Sequence, residues 1–177
     1  MRGRSGRSAS AGVATGPSGT AKDRALRLLA VRWRSREEIR RRLRQAGFEP
    51  EAIEAALDDL ERAGLVEDER FARELVRDQS TRRMSGERVI RAALREKGVA
   101  DHVAEHALAG LGEDAERAAE LAARKAARMT GLEPQVAYRR LFGLLVRRGF
   151  SPDVAREATR LALREAFAGA SALDEAP

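Results

Sequence analysis

Three apolar pairs, Ile39 with Leu43, Ile90 with Leu94 and Leu141 with Leu145, each stand four residues apart and each end four residues before a glycine. A spacing of four puts both side chains on one helical face. The glycines, Gly47, Gly98 and Gly149, recur at an interval of 51 residues. An apolar residue follows each (Phe48, Val99, Phe150), and a second helical pattern then opens with Ile53, Val103 and Val154 as its inward candidates. Glycine adopts the left-handed conformation that closes a helix, and Lys97, Arg147 and Arg148 suit the negative end of the dipole. Pro50 and Pro152 fit the first turn of the next helix, Ser151 fits an N-cap, and Ser35 with Glu38 fits a capping box.

A further helix precedes each pair. Its inward residues are expected to be Leu26, Leu29 and Trp33 in the first unit, Phe71, Leu75 and Gln79 in the second, and Leu121 in the alanine-rich third. No alternating run of β-branched or aromatic residues suggests a strand. The pattern predicts an all-α, elongated tandem array of three three-helix modules, at residues 22–66, 67–112 and 113–168. Modules of about 50 residues are too small to be robust alone. Neighbours are therefore expected to pack on one another as in a short solenoid. Residues 1–21, with three arginines and no acid, read as a disordered basic tail, and 169–177 read as a loose C-terminal end.

Composition narrows the picture. The chain has 177 residues, 34 basic against 28 acidic, for a formal net charge of +6. It has no cysteine, which excludes disulfides and thiolate metal sites and fits a cytoplasmic setting. It also lacks an apolar run long enough to span a membrane. The charge is banded: residues 34–44 carry a net +4, 49–69 a net −8 and 70–97 a net +5. Arginine offers fixed charge and a planar fork to carboxylates and phosphates. The candidate partner-binding residues are Arg73, Arg77, Arg82, Arg83, Arg88, Arg91, Arg95 and Lys97, extended by Arg40, Arg41, Arg42 and Arg44. The plainer reading of each is a solvated helix face with weak local ion pairs. The acidic band either faces a basic patch or balances the neighbouring arginines.

Residues 102–106, HVAEH, fit the H-x-x-E-H pattern of a zinc peptidase, but the repeat places them on an ordinary third helix with no distinguished third ligand. Phosphate-loop, dinucleotide and nucleophile-elbow motifs are absent, so no catalytic residue, metal or cofactor is expected. Glu67, Asp68 and Glu69 are expected to complement the dipole of the helix they open. Three-helix units also occur in DNA readers, yet the third helices open PEAIEAAL, DHVAEHAL and PDVAREAT, too acidic or apolar for base readout.

Four stretches, RSREEIRRRLRQAGF (34–48), GLVEDERFARELVRD (64–78), GERVIRAALREKGV (86–99) and LFGLLVRRGFSPDV (141–154), resemble the RecX family of bacterial regulatory proteins. The likeness covers about residues 22–168 and departs at Leu75, where the family often has tyrosine. It implies a monomeric, non-enzymatic regulator that lies in the groove of the RecA filament on DNA. There it would inhibit ATP turnover, strand exchange and the coprotease function, with at most weak binding to bare DNA. The alternative is a stand-alone DNA-binding helical protein acting through phosphate contacts.

Overall fold

The structure is a computed structural model that describes residues 19–174, with side chains described over 19–168. Over the described residues it has nine α-helices and no strand. Helices α1 (Ala21–Leu29), α2 (Arg36–Gln45) and α3 (Pro50–Arg62) form the first triplet. Helices α4 (Asp68–Arg77), α5 (Glu87–Glu96) and α6 (Asp101–Leu108) form the second, with a π turn, Asp78–Arg82, continuing α4. Helices α7 (Asp114–Ala126), α8 (Pro134–Arg147) and α9 (Pro152–Asp174) form the third. The basic tail expected over 1–21 lies outside the described residues up to 18, and its last residue, Ala21, already opens α1. The loose end expected from 169 is instead helix as far as Asp174, with 175–177 outside the described residues.

Each triplet has its own core. Ile39, Leu43, Ile53, Leu57 and Leu60 meet in the first, and Phe71, Ala72, Ile90 and Leu94 in the second. Leu121, Leu141, Leu145 and Phe150 meet in the third. All six residues of the repeated apolar pairs are 0% exposed. Full burial of one such side chain contributes about 1.5–3 kcal/mol. One residue crosses over: Met84, just after the π turn, sits in the core of the third triplet.

Several inward assignments shift by a position. On α1 the buried residues are Ala21 and Ala25, while Leu26 is exposed. Trp33 lies beyond the end of α1, half exposed, with the Arg70 guanidinium 4.1 Å above its ring. Val103 and Val154 are half-buried beside fully covered Ala104 and Ala155, because small residues let α6 and α9 approach their neighbours closely. Ser35 caps α2 by accepting from the Glu38 N–H at 3.1 Å, but the Glu38 side chain does not complete the box. The completed box is at α1, where Thr20 and Asp23 exchange hydrogen bonds of 3.0 and 3.2 Å.

Broad helix-on-helix contact is confined to the triplets. Neighbouring modules do pack on one another, mainly through helix ends. At the first joint Ser35 Oγ donates to the Lys97 carbonyl at 2.5 Å, and Asp68 Oδ1 accepts from the Arg36 N–H at 2.8 Å. At the second, the Gly86 N–H donates to the Arg148 carbonyl at 2.8 Å, and Asp114 Oδ1 accepts from the Glu87 N–H at 3.0 Å. Ser35 and Gly86, Arg36 and Glu87, and Lys97 and Arg148 are the same positions one repeat apart. Asp68 thus takes a free N–H at the start of the preceding module's α2, in addition to sitting in the first turn of α4.

Two of the glycines that stop the middle helices, Gly98 and Gly149, also form these joints. Gly47, Gly98 and Gly149 have φ of 84°, 71° and 98°. A Cβ at Gly98 would lie 2.5 Å from Glu37 Cβ, and one at Gly149 2.6 Å from Val89 Cγ2. A Cβ at Gly47, which faces no neighbour, would meet nothing within 4 Å.

Candidate interaction surface

The first arginine band is largely neutralised from within. α2 packs on α3, and this brings Arg36 and Arg40 opposite Glu54, Asp58 and Glu61. Arg36 Nη2 lies 2.8 Å from both Glu54 Oε2 and Asp58 Oδ1. Arg40 Nε lies 2.6 Å from Glu54 Oε1, and its Nη1 lies 2.5 Å from Glu37 Oε2. The hydrogen bonds from Arg40 hold the Glu54 carboxyl below its ordinary range, and the same contacts push the Arg40 guanidinium further up. The acidic band therefore balances adjacent arginines. Arg42 approaches Glu38 at 3.5 Å, whereas Arg41 and Arg44 are exposed and have no ion pair among the described residues. Replacing Arg40 with alanine is expected to lower unfolding stability by about 1 kcal/mol, discounted because Glu54 is half exposed. Arg41→Ala should stay within about 0.5 kcal/mol of the parent in the same urea titration.

Beneath this band lies a carboxylate hidden in the arginine run. Glu38 is 1% exposed, and its Oε1 accepts from both Arg32 and Arg34. Arg34 is itself buried and donates through Nε to the Leu28 carbonyl at 3.1 Å. Burial pushes the Glu38 carboxyl up, but the hydrogen bonds and charges of Arg32 and Arg34 outweigh it and leave the group below its ordinary value. The cluster fixes the segment between α1 and α2.

The middle band is unevenly neutralised. Arg91 is held by Glu87 at 2.6 Å and by Glu105, the latter bond contributing most to its raised pKa. Arg88 Nη2 donates to the Val146 carbonyl at 3.1 Å and so helps fasten the second joint. Arg95 is exposed without an ion pair among the described residues, and Lys97 has Glu96 at 3.5 Å. Arg73 is loosely paired with Glu67 and Glu69 at 3.4 and 3.5 Å, while Arg77 is exposed and has no ion pair among the described residues.

Two clefts flank Met84 at the second joint. The larger, about 720 Å³, is lined by Arg73, Arg77, Ser80, Thr81, His106 and Arg117 among others. The smaller, about 170 Å³, gathers Arg82 and Arg83 with Arg124, Lys125, Arg128 and Arg148. Arg88, Arg91 and Arg95 line neither of these two. The four third-module cations were absent from the sequence-derived set. Their signal was Arg124 and Arg128, four apart on one helical face, within a run that reads mainly as alanine.

The zinc-like motif resolves into separate parts. His102 and His106 are exposed on α6, and Glu105 is the partner of Arg91. No group of three or more metal-ligating side chains occurs among the described residues. Nor is any described helix long and apolar enough to cross a membrane.

Triplet modules joined end to end and indented by arginine-lined clefts define an all-α tandem-repeat protein. Family models for RecX match in tandem: its first three-helix domain at residues 21–60, its second at 68–108 and its third at 112–159. The chain belongs to the RecX family. It is 38% identical to the regulatory protein RecX of Amycolatopsis mediterranei, over 88% of this chain and 90% of that one. It is 34% identical to that of Chlorobaculum tepidum, over 90% of this chain and 98% of that one. The crystal structure of RecX from Lactobacillus salivarius superposes with a TM-score of 0.68 at 25% identity, covering 80% of this chain and 94% of that one.

Proposed function

We propose that this chain binds the RecA filament on DNA and lowers its ATP hydrolysis, strand exchange and coprotease activity, acting as a monomer in the cytoplasm without catalysis of its own. The observation that carries the reading is the set of arginines left unneutralised on a family-typical module array. Arg41, Arg44, Arg77 and Arg95 have no ion pair among the described residues, and Arg73, Arg82 and Arg83 are only loosely paired. Cations of this kind retain charge for an external partner, whereas Arg40, Arg88 and Arg91 have been drawn into holding the fold. Arg42 and Lys97, each 3.5 Å from a carboxylate, fall between the two groups.

The test is co-sedimentation with RecA filaments assembled on single-stranded DNA, compared with the same DNA alone. The chain is expected to pellet with filaments and to bind bare DNA weakly. The Arg77→Ala, Arg95→Ala double variant should keep its helical circular dichroism and lose about tenfold in filament affinity, the scale of a lost charge-assisted hydrogen bond. Equal retention on bare DNA, with affinity falling steeply as salt rises, would instead establish a stand-alone DNA-binding protein. Unchanged filament affinity in the double variant would move the docking residues elsewhere.

A further inference from the structure

The smaller cleft at the second joint has the make-up of an anion site. Its lining brings together Arg82, Arg83, Arg124, Lys125, Arg128 and Arg148, six cations drawn from two modules. Among the described residues only two carboxylates pair with them, and weakly. Asp78 stands 3.7 Å from Arg82 and 3.3 Å from Arg83, and Glu120 stands 3.8 Å from Arg124. Lys125 and Arg128 have no ion pair among the described residues. Like charges gathered this closely repel one another, and an anion between them removes that repulsion.

The backbone beside the cleft is unusual in two respects. The π turn Asp78–Arg82 carries Arg82, and a single-turn π segment is a rare device often associated with functional sites. Met84 then takes φ 49°, a left-handed value that a non-glycine residue rarely adopts. Its side chain is buried in the third module's core, where Arg124 Nη1 reaches the sulfur at 3.2 Å. The Arg148 guanidinium donates to the Arg83 carbonyl. Fold contacts thus engage two of the cations, Arg124 and Arg148, while Lys125 and Arg128 stay available.

The lining points to the ligand class. No aromatic side chain lines the cleft, so it offers no platform for a stacked base. The excess of cations over carboxylates matches several negative charges close together. We infer that this cleft binds an oligophosphate, a group of two or more consecutive phosphates. The inference does not depend on filament binding.

Isothermal titration of the full chain with inorganic tripolyphosphate, at physiological salt and without RecA or DNA, tests it. One saturable site is expected, tighter than for orthophosphate. The Lys125→Gln, Arg128→Gln double variant should lose affinity about tenfold or more. Arg41→Gln, Arg44→Gln, which removes the same charge far along the sequence, should leave it unchanged. If the first variant fails to fold, Arg128→Gln alone serves, since Arg128 is exposed. ATP binding as tightly as tripolyphosphate would identify a nucleotide tail as the source, and weaker ATP binding a free oligophosphate; both support the site. Lack of saturation, equal loss in the control variant, or a short oligonucleotide binding as tightly and displacing tripolyphosphate would overturn it. Because no recombinase is present, failure here leaves the filament reading standing.

Discussion

Glu38→Ala is expected to lower unfolding free energy by about 3–5 kcal/mol, the scale of removing one partner from a buried ion cluster. The substitution leaves Arg34, 6% exposed, without its carboxylate and with only the Leu28 carbonyl to accept from it. It also frees Arg32. Since small domains are stable by only about 5–15 kcal/mol, the first module should lose a large part of its margin against unfolding. Urea titration followed by the fluorescence of Trp33, the single tryptophan, reads this locally. A midpoint within about 0.5 kcal/mol of the parent would show that the cluster contributes nothing. The pH response follows from the same group. Its folded pKa is depressed, so the carboxylate stabilises the fold above the ordinary value of 4.5, and this contribution is lost as pH falls through the folded value. The parent midpoint should therefore decline below about pH 4.5, and Glu38→Ala should flatten that decline.

Gly86→Ala should loosen the joint between the second and third modules while leaving their helices folded. Gly86 has φ −74°, which any residue adopts, so no backbone penalty confuses the result. The added Cβ would lie 2.6 Å from the Gly149 carbonyl carbon and 2.7 Å from the Phe150 nitrogen, and neither is the end of a flexible side chain. Overpacking of this kind costs about 1–3 kcal/mol. Relief requires giving up the Gly86–Arg148 hydrogen bond and, with it, the reach of Arg88 to Val146. Hydrogen exchange should quicken at residues 86–90 and 146–150, with the core amides of α5 and α8 still protected. On the proposed function, any inhibition of RecA ATP hydrolysis should fall with it. Unchanged exchange at both segments would mean that the joint tolerates the methyl group.

The helices and their stops were readable because burial and periodicity are side-chain properties. The pairs from Ile39 to Leu145 are all fully covered, and the repeated glycines all take positive φ. The joints were hidden because they are built from backbone groups and from the lack of a Cβ. Nothing in the letters at Gly86 or Arg148 announces an N–H facing a carbonyl. Glu38 was hidden by its neighbours: within an Arg–Glu run it reads as solvated, yet three arginines let it lie beneath them. The same limit split the arginine bands. Charge alone did not distinguish Arg40, turned inward to Glu54, from Arg41 beside it, turned outward.

Both joints close on main-chain groups at helix ends, so how one module sits on the next is written in the backbone and not in either core. A substitution at Gly86 or Gly149 can therefore alter the arrangement of the modules while every core residue keeps its place.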